Sequence, residues 1–288
     1  MADSHGASSS APFSASSTGQ PGTASAGLDC HFALNRSEYE AMCRSVGIQP
    51  GWRVLDAGCG PGGFLLTIAD LVGPSGSINA IDLAPDNVAV AEARLREWAI
   101  PCPVEVRTGS VTALPYPDGA FDAVWCANTV MYLSDEELAL ALAEFRRVVR
   151  SGGLIAVKEP EVTLDCILPG DPFLFARYRA ARARASGQAR QGSRGRSLYR
   201  WLGEAGLAEV RQRLVPIERF APFDATLLEG LRHIMPNRAD ESAGYPDLSE
   251  GDKATWRLLG DLDHPENPLN DPAAYHCEGN VLAVGQVP

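Results

Sequence analysis

The sequence predicts an α/β fold, an open sheet of seven mostly parallel strands with helices on both faces and an antiparallel last strand. Three observations carry this. From Asn35 onward, short apolar runs alternate with helical periodicity, the pattern of a parallel sheet covered on both sides. The first run ends in a glycine cluster, VLDAGCGPGGFL over Val54–Leu65, where a strand passes through a tight loop into a helix. A chain of 288 residues, 45% of them hydrophobic, can bury one core of roughly 200 to 260 residues plus additions.

The elements follow in order. Residues 1–28 are almost entirely Ser, Ala, Gly, Thr and Pro, with no Lys or Arg before Arg36, so they read as a disordered tail ahead of a single domain over 29–288. The lack of arginine argues against a transit peptide. A helix is expected near Ser37–Val46, then strand Arg53–Asp56, the glycine loop and a helix over Leu65–Leu71. Strand Ile78–Asp82 precedes a helix that Pro85 opens and that runs to about Trp98, followed by a strand near Val104–Arg107. Strand Phe121–Cys126 leads to the best-marked helix, where Ser134 and Glu137 form a capping box and Leu138, Leu142, Phe145 and Val149 share a face. Gly152 and Gly153 stop that helix before strand Leu154–Lys158. Helix Leu198–Glu204 and strands near Val210–Phe220 and Val281–Val287 complete the seven-stranded count.

Composition narrows the partners. A net charge of −11 argues against nucleic acid or an anionic membrane, which need a basic surface. No apolar run reaches the roughly 18 residues of a spanning helix, and no charged-then-apolar leader opens the chain. The seven cysteines are dispersed without a C-x-x-C pair, as suits a reducing compartment, and the expected location is the cytoplasm. The expected state is a monomer or homodimer.

Gly58, Gly60 and Gly63 fit the G-x-G-x-x-G spacing of a nucleotide loop, which by itself also admits nicotinamide or flavin dinucleotides. Asp56, two residues ahead, sharpens the reading: a carboxylate there repels a diphosphate and attracts a cofactor carrying an ammonium and a sulfonium, so it points to S-adenosylmethionine. Four stretches, VLDAGCGPGG, INAIDLAPD, RTGSVTALPYPDGAFDAVW and RRVVRSGGLIAVKE, stand in the order and spacing of the class I S-adenosylmethionine-dependent methyltransferases. Over roughly Arg53–Lys158 the chain resembles this Rossmann-like family, and most closely its quinone-biosynthesis and small-molecule branch. The resemblance implies that Gly58, Gly60 and Pro61 line the methionine part of the cofactor and that Asp82, with Leu83 beside it, accepts the ribose hydroxyls. It further implies that Gly109, Ser110 and Val111 border the adenine, and that Ala127 meets the methionine moiety through its backbone. Ser110 departs from the acid or amide common in relatives, with a shorter reach. His31 and Tyr39 fall in the segment that in this family often folds over the cofactor as a lid, and Tyr39 is counted with the cofactor residues.

Methyl transfer from a sulfonium is an in-line displacement, so the protein mainly aligns the acceptor, excludes water and supplies a base where the acceptor is protonated. Residues just beyond the fourth and fifth strands are the natural lining: Asn128, Met131 and Tyr132, then Glu159 and Glu161. Glu159 is the first choice of base, since a carboxylate just past a buried strand is prone to a raised pKa. Tyr132 and His233 complete the catalytic candidates. His264 and Glu266 in DHPEN lack metal-ligand spacing, and no metal is expected.

Two insertions, about 160–197 and 222–276, depart from the minimal core. The second carries Leu227, Leu231, Met235, Trp256 and Leu259 in helical patches and is expected to fold as a helical cap over the acceptor pocket. The first holds a block of arginines at 177, 179, 182, 184, 190, 194, 196 and 200, with no acid from Pro172 to Gly203. That block reads either as a solvated face neutralising an acidic body or as a contact for an anionic acceptor or RNA. The function expected is methyl transfer to an oxygen or nitrogen of a small molecule, in secondary-metabolite biosynthesis. The alternatives are C-methylation of a quinone-like compound, methylation of RNA or protein, and a protein that holds the cofactor without transferring methyl.

Overall fold

The fold was analysed in a computed structural model, which describes residues 15–19 and 22–288. Five parallel strands form its centre: β1 (Arg53–Ala57), β2 (Ser77–Asp82), β3 (Val104–Thr108), β4 (Phe121–Ala127) and β5 (Val149–Pro160), in the spatial order β3-β2-β1-β4-β5. β8 (Tyr275–Gln286) pairs with β5, and the short β6 (Cys166–Leu168) and β7 (Ala208–Phe220) pair with β8 to finish the sheet. β8 runs antiparallel to β5, β6 and β7. The sheet therefore has eight strands instead of seven. The extra one, three residues long, is too short to show a period of two in the sequence.

The helices are α1 (Ser25–Leu34), α2 (Arg36–Arg44), α3 (Leu65–Val72), α4 (Pro85–Glu97), α5 (Asp135–Val148), α6 (Leu174–Ala185), α7 (Gly187–Gln191), α8 (Leu198–Glu204), α9 (Ala225–Ala243) and α10 (Glu250–Gly260). The capping box at α5 is present: Ser134 Oγ accepts from the Glu137 N–H at 3.1 Å and Glu137 accepts from the Ser134 N–H at 2.8 Å. One face of the sheet packs on α5 and α8 through Leu138, Leu142, Phe145, Leu198 and Leu202. The other packs on α2 and α3 through Tyr39, Met42, Leu65 and Ile68.

The tail reading of residues 1–28 needs correction where the chain is described; residues 1–14, 20 and 21 lie outside the described residues. Ser17 donates to the Asp86 carboxylate from both its N–H (3.0 Å) and its hydroxyl (2.5 Å), Ser25 donates to Asn87 at 2.7 Å, and α1 begins inside the supposed tail. Polar side chains that look like solvent-seekers in composition here bond the start of α4.

The two insertions share a third core of Leu174, Phe175, Tyr178, Leu231, Met235 and Trp256, with the Trp256 ring 4.9 Å from Phe175 and 4.7 Å from Tyr178. The arginine block joins them. Arg177 meets Asp252 at 2.5 Å, Arg182 meets Glu241 at 3.1 Å and Arg184 meets Asp247 at 2.6 Å, while Arg179 meets Asp165 and Arg194 meets Asp135, both at 2.5 Å. These contacts pair much of the block with acids of the chain itself. Their partners lie up to 75 residues away, which sequence spacing does not reveal.

Asp56 is buried at 1% exposure, and its Oδ2 has no partner among the described residues. Burial, and then the Asp82 charge, push its carboxyl up to about 8. A raised folded-state pKa contributes stability below the unfolded value of 3.8 and loses it as pH climbs to about 8. Asp56→Asn is therefore expected to gain on the wild type by about 1.4 kcal/mol per pH unit between pH 5 and 7 in urea unfolding; a difference independent of pH would contradict the buried neutral acid. Trp256→Ala is expected to destabilise the helical lobe by roughly 3–5 kcal/mol, read by urea unfolding and by new proteolytic cuts within α6 and α9.

Candidate active site

Parallel strands leave their loops at one edge, and the cavity opens there, beyond the carboxyl ends of β1, β2 and β4. The glycine loop is held by backbone: the Gly58 and Cys59 N–H groups donate to the Ile81 carbonyl at 2.8 and 3.0 Å. Gly58 lies at φ +81°, and a Cβ there would strike the Thr129 side chain, so only glycine lets the loop lie against the turn after β4. Asp82 joins the parts: Oδ2 accepts from the Gly60 N–H at 2.8 Å and Oδ1 from the Ala84 N–H at 2.9 Å. Burial raises its carboxyl, and those N–H donors pull it back.

The cavity has a volume of about 240 Å³. Tyr39, Gly58, Gly60, Pro61, Asp82, Leu83, Ser110, Val111 and Ala127, all expected at the cofactor, line it together with Tyr132. Asp56 does not line it. Its position in the middle of the sheet turns the carboxyl into the core beneath the loop, where burial holds it protonated, so the expected attraction of a cofactor cation to an Asp56 carboxylate is not met.

Two catalytic candidates also fall outside the lining. Glu159 is buried, and its Oε1 accepts from the Thr129 and Val130 N–H groups at 2.9 and 2.8 Å. That fastens the turn carrying Tyr132, while Oε2 has no hydrogen-bond partner among the described residues and burial raises the carboxyl to about 7. Its neighbour Lys158 is fully buried, donates to Asn128 Oδ1 at 2.7 Å and stands 3.5 Å from the centre of the Tyr39 ring. Burial drives Lys158 and Glu159 toward their neutral forms, and their mutual attraction opposes it. His233 sits on α9, half-buried and away from the cavity.

Sequence reasoning left out most of the wall opposite the sheet. Ser16, Thr18, Thr23, Leu28, His31 and Phe32 line the cavity from the N-terminal segment and α1. Arg94 fixes α1 by donating to both Asp29 carboxylate oxygens, at 2.9 and 2.5 Å, and to the Pro61 carbonyl of the glycine loop at 2.9 Å. Leu28 and Phe32, four residues apart, were the available signal: both project onto glycines of the loop. Asn128, also in the wall, has φ +53°, a conformation uncommon outside glycine that gathers at functional sites.

These groups fit an adenosine-bearing cofactor. Bare glycine backbone lies beside an acid at the end of the second strand, and a small hydroxyl, Ser110, stands past the third. Residues 54–153 match the family described as a methyltransferase domain. The chain is 36% identical over 173 residues to an uncharacterized 37.1 kDa protein in a transposon of Streptomyces fradiae, covering 60% of this chain and 48% of that protein. It is 29% identical over 135 residues to the demethylmenaquinone methyltransferase of Lysinibacillus sphaericus, covering 47% and 54% respectively. It thus spans about half the length of these curated relatives. The solved structure of the YcgJ protein of Bacillus subtilis matches 90% of this chain and 99% of its own with a TM-score of 0.57 at 17% identity, which is a likeness of fold. Family match, fold and cavity coincide over the same segment: residues 54–153 carry a methyltransferase domain, and its strand ends open the cavity that fits an adenosine-bearing cofactor.

Proposed function

We propose that the protein transfers a methyl group from S-adenosylmethionine to an oxygen or nitrogen of a small molecule, in secondary-metabolite biosynthesis. The observation that carries this reading is the cavity at the carboxyl ends of β1, β2 and β4, which gathers nine of the expected cofactor positions in one wall. S-adenosylmethionine supplies the electrophilic methyl when bound. Asp82 would accept the ribose hydroxyls, the backbone at Gly58, Gly60 and Pro61 would line the methionine part, and Ser110 and Val111 would border the adenine. Tyr39, Asn128 and Tyr132 line the same cavity, and an acceptor bound beside them would meet the reacting end. Among the described residues, the helical lobe, expected as a cap, contributes none to the lining of this cavity; its outer wall comes from the N-terminal segment and α1.

Small-molecule use is supported by the arginine pairs, which engage acids of the chain itself and so leave little of the block for RNA. C-methylation of a quinone-like compound is the second reading, favoured by the similarity to the demethylmenaquinone methyltransferase.

Incubation with methyl-labelled cofactor and a panel of phenols, amines and quinols should give labelled product, whose mass spectrum identifies O-, N- or C-methylation; product formed without label would sink the methyl-transfer reading. In calorimetry with S-adenosylhomocysteine, Asp82→Ala should weaken binding by roughly tenfold or more, the loss of about two hydrogen bonds to a charged acceptor. Affinity within a factor of two of wild type would show the ribose assignment to be wrong.

A further inference from the structure

The cavity has one imidazole in its wall among the described residues, and methyl transfer from this site has so far been left without a base. His31 stands on α1 with its Nδ1 3.5 Å from the Tyr39 hydroxyl and the two rings edge to face at 5.8 Å. In the tautomer that donates from Nδ1 to the Tyr39 oxygen, Nε2 carries the lone pair for a molecule bound in the cavity that His31 lines. Around it the cavity is lined by Phe32, Tyr39, Phe64 and Tyr132, walls that suit a flat aromatic guest. We infer that His31 takes the proton of the acceptor and that the acceptor is an aromatic molecule bearing a hydroxyl, bound between α1 and the Asn128–Tyr132 turn. This rests on the methyl-transfer reading.

The charges around His31 favour the task. Glu278 of β8 and Asp165, between β5 and β6, face it as anions; Lys158 of β5 and Arg238 of α9 face it as cations; the Tyr39 hydroxyl of α2 completes its surroundings. Burial outweighs the two acids and lowers the imidazole pKa, so His31 is neutral and basic at pH 7. Glu278, a buried carboxylate near Arg238 that accepts from Asn35 Nδ2 at 3.1 Å, stabilises the imidazolium once a proton arrives. The step balances: the hydroxyl proton passes to Nε2, the oxygen forms its bond to the methyl carbon, and the carbon–sulfur bond breaks with its electron pair returning to sulfur. The proton leaves to solvent after product departs.

The test uses the full chain, S-adenosylmethionine and a panel of phenols, catechols and hydroquinones. His31→Gln should lower kcat by on the order of 10² to 10⁴, keep S-adenosylhomocysteine affinity within about threefold, and abolish the acid limb that kcat/KM of the wild type shows below pH 6.5. Glu278→Gln should move that limb to lower pH, because removing the carboxylate makes the imidazolium harder to form. Wild-type chain that binds S-adenosylhomocysteine yet methylates no hydroxyl in the panel overturns the inference and leaves methyl transfer standing. A His31→Gln rate within threefold of wild type with the acid limb intact overturns it as well, and so does a loss of rate fully explained by lost cofactor affinity.

Discussion

The Asp82 carboxylate is the joint on which the cavity depends. One oxygen takes the N–H of Gly60 in the loop after β1, and the other takes the N–H of Ala84 at the start of α4. Hydrogen bonds to a charged acceptor are about twice as strong as neutral ones, and burial makes them costly to leave unmade. The same α4 binds the N-terminal segment through Asp86, Asn87 and Arg94. The floor and the far wall of the cavity are thus registered to one helix, and a change at Asp82 acts on both.

Around that joint the chain separates two jobs. The sheet centre is apolar and rigid, with Leu55, Val124, Ile155 and Val157 at 0% exposure, and it places loop ends without contributing chemistry. The polar work is done where β5 and β8 reach the insertions, and there Lys158, Glu159, Glu161, His276 and Asn280 are all buried. Groups of this kind are tolerated only when partnered. Lys158 has Asn128 and the Tyr39 ring, and Glu159 has two backbone N–H groups. The result is a set of fixed polar groups, with Lys158 against the Tyr39 ring of α2.

Much of the fold was legible in the sequence because it depends on local signals. The strands from Arg53 to Lys158 have the apolar runs of two-sided burial, and the α5 capping box is written within four residues. Gly58, Gly60 and Asp82 were legible for the same reason: strand, loop and helix are contiguous there. The raised carboxyl of Glu159 was legible from its place past a buried strand, but its position outside the cavity lining, like that of His233, depends on contacts distant in sequence. The Glu159 carboxylate meets its N–H donors across 30 residues, and nothing near His233 says which side of α9 faces the cavity. The N-terminal segment was missed for an opposite reason, since averaging composition over residues 1–28 hides single serines that reach fixed acceptors in α4.

The insertions show why cofactor chemistry reads more readily than acceptor chemistry. A cofactor shared across a family is met by backbone and by one acid at a strand end, and those are constrained by fold geometry. The acceptor is met by whatever the added segments bring, and here they bring mutual neutralisation. Each arginine paired with an acid of the opposite insertion gives a surface contact worth little alone, about 0–1 kcal/mol, but several together fix the two segments over one apolar core. Arg179 and Arg238 are the members turned inward, sharing Asp165 at 2.5 and 3.9 Å. The arginine block that looks in sequence like a landing site for an anion is in the structure mainly a seam. What lines the cavity from the far side is α1, through Leu28, His31 and Phe32, and none of the arginines that stand out in the sequence is in that lining.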